Sequence, residues 1–149
     1  MAKGLVQVLN DLISTLRDSE EGFDKAAKGA HSDDLRGTFD AISVKRAAFA
    51  EELGGEVQRL GGEPAQMGHG GGPLSAGWVE LESRIRPKSD AEFIANCQRG
   101  EENTIKHYDH ALSQDDLPGD VRAIIAGQRS SIEETVEQLR RLERVQRAG

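Results

Sequence analysis

A stretch rich in glycine and proline near the middle of the chain constrains its fold more than any other feature. Residues 61–73 read GGEPAQMGHGGGP, with six glycines and two prolines in thirteen positions. In a helix interior glycine costs about 1 kcal/mol and proline about 3 kcal/mol relative to alanine, so this stretch predicts a loop. Because the other breaks in the helical pattern are only a few residues long, the loop divides the chain into two pairs of helices.

Apolar residues recur at steps of three and four on both sides of this loop, the spacing that places side chains on one face of an α-helix. No alternating pattern typical of a strand competes with it. The connection itself carries a shorter apolar pattern at Leu74, Trp78, Leu81 and Ile85, which predicts one short extra helix. The long helices are predicted over about residues 5–30, 33–60, 89–112 and 118–142.

The lengths of the connections predict the topology. Helices joined by only a few residues must form antiparallel hairpins, and this applies to the first pair and to the last pair. The connection at about 61–89 can cross a bundle whose helices are about 40 Å long at about 1.5 Å per residue. We therefore predict an all-α four-helix bundle of two antiparallel hairpins with a long crossover, in one domain of residues 1–149.

The composition restricts the classes of function. A formal charge of -7 argues against binding to nucleic acid or to anionic lipid, because both would repel an acidic surface. The single cysteine excludes an internal disulfide, and the chain has no run of about 20 apolar residues that would span a membrane. The first residues, MAKGLVQVLNDL, lack the apolar region of a secretory signal, so we expect a cytoplasmic protein.

Four polar residues interrupt the apolar stripes, each near the middle of its helix. With about 100° of rotation per residue, Arg46, Glu101 and Gln128 lie at the centre of their stripes, and Glu20 lies on the edge of its own. Glu101 and Gln128 come opposite each other within the second hairpin. Arg46 falls at a similar height if the crossover makes the second and third helices parallel. The pattern predicts a polar layer across the waist of the bundle.

Within this layer we expect Arg46 to pair with Glu101. A guanidinium can donate two hydrogen bonds to one carboxylate, and Gln128 would satisfy the groups that remain. The alternative is that the Arg46 side chain runs past its apolar neighbours to water. Tyr108 lies on the same stripe as Glu101, two turns later, and is expected to be a core aromatic residue with its hydroxyl group hydrogen-bonded.

Four segments of the chain resemble a known family. RAAFAEEL, GGPLSAGWVEL, CQRGEENTIKHYDHAL and DDLPGDV, in this order, are similar to a bacterial ferritin-like domain family of unknown function within the ferritin-like superfamily. The resemblance implies a ferritin-like bundle and carries no settled activity. Better-studied relatives in the superfamily hold two irons between glutamates and paired Glu-x-x-His motifs.

This sequence departs from that iron-binding pattern. The residues three places before its four histidines are Lys28, Gln66, Thr104 and His107, so it contains no Glu-x-x-His motif. Arg46 also brings a positive charge to the place where a cation would lie. We therefore do not expect a two-iron centre in the middle of the bundle.

Other residues offer weaker candidates. His107 and His110, three apart, could hold a zinc or nickel ion at the surface, although a solvated pair is the ordinary alternative. His69 lies in GHGGG, which lacks the lysine and hydroxyl residue of a phosphate-binding loop, so we expect a flexible connection. Gly100 and Gly127, just before Glu101 and Gln128, predict a close approach of helices.

Three functions remain open from the sequence. The first is a non-enzymatic bundle without a cofactor, acting alone or as a homo-oligomer in a role such as stress survival. The second is a metal-binding protein or two-iron oxidase or storage protein that uses Glu20 and Glu101 with other carboxylates to bind iron or another divalent metal. The third is an adaptor that binds a helix or a lipid in a groove near Gly54 and Gly55.

Overall fold

The computed structural model describes residues 2–70, 73–75, 78 and 89–148. Within these ranges the chain forms four long α-helices and no strand, which confirms the predicted all-α bundle. The predicted short helix at 74–85 lies largely outside the described residues, and the part that is described is a single 3-10 turn at Pro73–Ser75. The long helices are α1 (Ala2–Gly29), α2 (Asp33–Arg59), α3 (Asp90–Leu112) and α4 (Gly119–Ala148).

Contacts at the two ends of the bundle establish the crossover. At one end the Asp90 carboxylate, in the first turn of α3, accepts hydrogen bonds from the backbone N–H groups of His31 (2.7 Å) and Ser32 (3.1 Å) in the α1–α2 turn. At the other end Arg59, the last residue of α2, lies 3.4 Å from Asp120 at the start of α4. The connection between α2 and α3 therefore returns along the bundle, and α2 and α3 run in the same direction.

Side-chain caps define where α2 and α3 begin. The hydroxyl oxygen of Ser32 accepts a hydrogen bond from the Leu35 N–H (3.3 Å), and that of Ser89 accepts one from the Glu92 N–H (3.2 Å). Each hydroxyl satisfies one of the N–H groups that a first helical turn leaves unpaired. Serines in the sequence thus determine the start of one helix in each hairpin.

The hydrophobic core consists of two clusters along the bundle axis. One contains Leu12, Leu53 and Ile125, and the other contains Phe23, Phe39 and Ile94. The guanidinium carbon of Arg46 lies 6.0 Å from the ring centroid of Phe23, and 5.4 Å from that of Phe49, which packs against the first cluster. The polar residues of the middle of the bundle therefore separate two apolar layers.

Gly100 lies against an aromatic ring of the crossover. A Cβ atom on Gly100 or on Gly22 would overlap the indole ring of Trp78, which is buried. At Gly100 the expected close approach is therefore made by Trp78 and not by a second helix. At Gly127 a Cβ atom would meet nothing within 4 Å. The expectation of close helix contact at Gly127 was wrong, because its Cα faces open space.

Two further features bear on the open functions. Among the described residues, no helix has an apolar segment long enough to cross a membrane. Pro64 of the crossover lies over Gly54, where an added Cβ would be 3.6 Å from the proline ring. The crossover therefore covers Gly54, one of the two glycines at which a groove was an open alternative, whereas a Cβ on Gly55 would meet nothing within 4 Å.

Candidate metal site and the polar layer

Arg46 and Glu101 meet in the middle of the bundle, and both side chains are fully buried. Arg46 Nη2 donates to Glu101 Oε2 at 2.6 Å, and Nε is 3.5 Å from Oε1. Ser19 Oγ donates to Oε1 of the same carboxylate at 3.2 Å, and Nη2 also donates to Thr135 Oγ1 at 3.0 Å. The guanidinium therefore occupies both oxygens of the only carboxylate side chain that is buried among the described residues.

Gln128 belongs to a separate group of polar residues. Its Oε1 accepts a hydrogen bond from the Tyr108 hydroxyl at 2.6 Å, and its Nε2 donates to Glu52 at 2.8 Å and to the Phe49 carbonyl at 3.3 Å. The expected contact of Gln128 with the Arg46–Glu101 pair is not formed. Thr135, two turns further along α4, takes that place. Helical periodicity gives the face of a residue but not the height at which two helices pack, and this explains the error.

Glu20 does not join the polar layer. Its side chain is 34% exposed and accepts a hydrogen bond from Arg17 at 2.8 Å. Its neighbour Ser19 points inward instead and bonds to Glu101. One residue corresponds to about 100° of helix rotation, so a position on the edge of a stripe can fall on either side of the boundary. A metal site that joins Glu20 to Glu101 is therefore not present in this arrangement.

A second cluster of polar residues lies between α1, α3 and the crossover. His107 Nδ1 of α3 is 2.9 Å from Asp11 Oδ2 of α1, and His69 Nε2 of the crossover is 3.4 Å from Asp11 Oδ1. The two imidazole rings are stacked with their centroids 5.4 Å apart. One carboxylate and two imidazole nitrogens thus converge from three separate elements, and we call Asp11, His69 and His107 the triad.

The spacing within the triad suits one metal ion. Its three ligand atoms all lie within 4.8 Å of one another, and each residue is half-buried. Two ligands of a tetrahedral zinc ion, each about 2.0–2.1 Å from the metal, are about 3.3 Å apart. To reach that geometry the two stacked imidazole rings must rotate out of their parallel arrangement, because each ring nitrogen binds a metal in the plane of its ring. No other group of three such ligands forms in the ranges that the structure describes.

Hydrogen bonds around the triad hold His69 in place. The Asp18 carboxylate accepts the His69 backbone N–H, at 3.2 Å to each oxygen, and the Ser75 hydroxyl at 2.9 Å. Thr15 Oγ1 lies 3.0 Å from His69 Nε2 and donates to the Asp11 carbonyl at 2.8 Å. His69 is therefore packed against α1, with 11% of its side chain exposed, where the sequence alone indicated only a connection.

The electrostatics of the triad favour an ionised carboxylate. Burial by itself would raise the pKa of Asp11, but the hydrogen bond from His107 and the charges of His107, His69 and His110 outweigh it and lower that pKa. The same hydrogen bond raises the pKa of His107, against the opposing effect of burial. A metal ion that binds at Nδ1 of His107 must displace a proton from it.

The two histidines that the sequence offered as a candidate surface metal pair lie in different surroundings. His107 turns toward Asp11 with 11% of its side chain exposed, whereas His110, one turn later, is exposed. Asp11 and His69 were missed because they lie far from His107 in the chain. One signal was available, since Asp11, Thr15 and Asp18 form a polar row at steps of four and three beside the apolar stripe of α1.

Comparisons with known proteins agree with the fold. A family model described as "Domain of unknown function (DUF2383)" matches residues 5–114. A mutant of Mycobacterium smegmatis Dps1 has a similar structure, with a TM-score of 0.74 and 14% identity over 95% of this chain and 96% of that chain. The DPS protein from Vibrio cholerae O1, described as a member of a broad superfamily of ferritin-like diiron-carboxylate proteins, has a TM-score of 0.72 and 15% identity over 95% of this chain and 89% of that chain. A search of curated proteins finds no match. At these identities the two structures establish the ferritin-like fold alone.

Proposed function

Because the chain belongs to the DUF2383 family of domains of unknown function and has a ferritin-like fold, we propose that it is a ferritin-like bundle that binds one divalent transition-metal ion. The proposed ligands are Asp11, His69 and His107. The observation that carries the proposal is the convergence of these three ligand atoms, from α1, the crossover and α3, within 4.8 Å.

The chemistry of the triad supports a first-row transition metal. Two imidazole nitrogens and one carboxylate oxygen suit zinc or ferrous iron, and three protein ligands leave at least one coordination position open. Metal-binding histidines usually make a second hydrogen bond that orients the ring. The backbone of Leu74 lies beside the His107 ring and contributes to its raised pKa, and the backbone N–H of His69 donates to Asp18. Both histidines thus have polar neighbours outside the ligand set.

The middle of the bundle does not fit a two-iron centre. Arg46 occupies the carboxylate of Glu101, and Glu20 turns toward Arg17 at the surface. A cation placed beside Glu101 would also face the buried positive charge of Arg46. For this reason we assign the metal to the triad and give the polar layer a structural role. The proposed protein is a non-enzymatic bundle, as in the first hypothesis from the sequence. It binds a metal, as in the second hypothesis, but through the triad instead of Glu20 and Glu101.

Metal titration of protein purified without a histidine tag tests the proposal. We expect about one Zn²⁺ per chain by calorimetry, from three protein ligands at one site. His69→Ala and His107→Ala should each weaken binding at least about 100-fold, since even the loss of a supporting contact outside the ligand set costs about 10–100-fold. His31→Ala is the matched control, because His31 is exposed in the α1–α2 turn and bonds through its backbone N–H.

Two outcomes would contradict the proposal. Unchanged zinc binding in both His69→Ala and His107→Ala would show that the triad does not hold the metal. About two irons per chain, lost in Glu101→Gln but kept in His107→Ala, would return the metal to the middle of the bundle.

A further inference from the structure

A cleft opens beside the triad, between one face of α1 and one face of α3. It has a volume of about 670 Å³. Specific sites for small molecules usually measure about 300–1,000 Å³. The cleft is therefore large enough for an organic molecule of several atoms as well as for water. Its walls include Gln7 and Val8 of α1 and Asn103, Lys106 and His110 of α3.

Two members of the triad line this cleft. Asp11 and His107 belong both to the walls of the cleft and to the cluster of ligand atoms. A metal ion held by the triad therefore borders the cleft on the side of these two ligands. On the side of His69, Thr15 Oγ1 lies 3.0 Å from the ring and Asp18 accepts the backbone N–H. The cleft is thus the approach by which a molecule from solution can reach a coordination position that the protein leaves open.

The charge of the cleft is unusual for this protein. The whole chain carries a formal charge of -7, yet Asp11 contributes the only carboxylate among the described residues that line the cleft. A divalent ion would more than neutralise Asp11. Lys106 adds a positive charge and forms no ion pair with another described residue, and His110 adds a second basic group. With metal bound, the cleft becomes a positive site on an acidic protein.

We propose that the cleft binds a small anion that carries a carboxylate or a phosphate group. One oxygen of this group takes the open position on the metal, and the Lys106 ammonium group pairs with its remaining charge. The amide side chain of Gln7 provides hydrogen-bonding groups for the rest of the molecule, and Asn103 and Gln114 add the second N–H of amides that already donate to the Leu74 and His110 carbonyls. This inference rests on the proposed metal site, and it names the class of ligand which that site would accept.

Cobalt-loaded protein tests the inference, since the visible absorption of Co²⁺ changes when a ligand enters its coordination sphere. Inorganic phosphate and succinate are the two probes, and succinamide is the neutral control. We expect a saturable spectral change with at least one of the two anions, no change with succinamide, and no binding of either anion to metal-free protein by calorimetry. The anion that binds more tightly identifies the phosphate or the carboxylate as the preferred group.

A pair of lysine substitutions separates this site from general attraction of anions. Lys106→Gln should leave Co²⁺ affinity within about twofold of wild type and raise the anion Kd at least about tenfold, through loss of one charge at the site. Lys45→Gln removes the same charge from an exposed position on α2, outside the cleft, and should leave both values unchanged. Equal weakening in the two variants would overturn the inference.

The remaining outcomes distinguish the inference from the proposed function. Stoichiometric Co²⁺ binding with no response to phosphate or succinate overturns the anion site and leaves the metal site standing. Equal anion binding with and without metal also overturns the inference, because the oxyanion would then not be a metal ligand. A failure to bind Co²⁺ or Zn²⁺ overturns both.

Discussion

At the residue scale, the ion pair of Arg46 and Glu101 carries a large desolvation cost. Both side chains are fully buried, and Arg46 Nη1 has no hydrogen-bond partner among the described residues. A buried ion pair often adds little net stability, since desolvation offsets much of the attraction. Removal of one partner is different, because it leaves an uncompensated charge in an apolar interior. We therefore expect the pair to matter more for the alignment of α2 with α3 than for the total free energy of folding.

Arg46→Ala and Glu101→Ala should each lower the free energy of unfolding by about 3–5 kcal/mol, because each leaves one buried charge unpaired. The double variant should lose clearly less than the sum of the two, as residues in direct contact are not additive. Chemical denaturation of the four proteins measures this. The exposed pair Asp24–Lys28 provides the control cycle and should show only a small coupling. Small and additive losses at Arg46 and Glu101 would contradict the prediction.

Tyr108 and Cys97 should make the free energy of unfolding vary with pH in the alkaline range. Burial raises the pKa of Tyr108 far above its usual value. Burial, with a smaller contribution from the charge of Glu101, raises the pKa of Cys97 well above the usual value of a thiol. In the unfolded chain these groups ionise near pH 10 for tyrosine and about 8.5 for cysteine. Because the folded state keeps both groups protonated, their contribution is fully present below about pH 8.5 and is lost as pH rises.

The pH dependence can be assigned by substitution. The free energy of unfolding of the wild type should fall between about pH 8.5 and 11, and the fall should be smaller in Cys97→Ala and in Tyr108→Phe. Denaturation curves at several pH values measure these slopes, independently of the loss that each variant suffers at neutral pH. Equal slopes in all three proteins would show that other groups control the alkaline transition.

At the scale of elements, the crossover is fastened to α1 by side chains of that helix. The Asn10 carboxamide accepts the Ala65 N–H at 2.8 Å and donates to the Glu63 carbonyl at 3.0 Å. Asp18, about two turns later in α1, bonds to His69 and Ser75. Together with the ring of Trp78 against Gly22, these contacts attach the described part of the crossover to α1 despite its glycine content. The crossover contributes His69 to the triad because side chains of α1 supply the hydrogen bonds that hold it there.

Gly100→Ala should displace Trp78 from its position against α3. The added methyl group would overlap the indole ring, so we expect a loss of stability of about 1–3 kcal/mol, typical of overpacking. The chain has a single tryptophan, so a red shift of its fluorescence reports the displacement directly. Gly127→Ala is the control, since its Cβ would meet nothing within 4 Å. That control should gain up to about 1 kcal/mol from helix propensity and leave the fluorescence unchanged.

At the scale of the whole molecule, the triad joins elements that are far apart in the chain. A metal ion there would connect α1, the crossover and α3, and it would bind the folded chain more tightly than the unfolded one. Binding that favours the folded state at 100 times Kd adds about 2.7 kcal/mol of stability. We therefore expect zinc to raise the melting temperature of the wild type and not that of His107→Ala. An equal rise in both proteins would indicate stabilisation from elsewhere on the surface.

The arrangement of helices could be predicted from local patterns in the sequence. The spacing of apolar residues gave the helical faces, and the length of the crossover gave the topology. The polar layer could be predicted only in part. Arg46 and Glu101 could be recognised as inward-facing because they sit at the centres of their stripes. Ser19, Thr135 and Glu20 could not be placed, since the pattern does not determine how one helix is shifted against another.

The sequence by itself determined the class of fold, the crossover and the presence of buried charges, because each follows from the periodicity of a single helix or the length of a single loop. Only the tertiary structure decided that Asp11, His69 and His107 meet. Their separation in the chain, by 58 and 38 residues, leaves no local signal of proximity. The triad exists because α1 and α3 pack side by side and the crossover is pinned against them, and these are properties of packing rather than of any one segment.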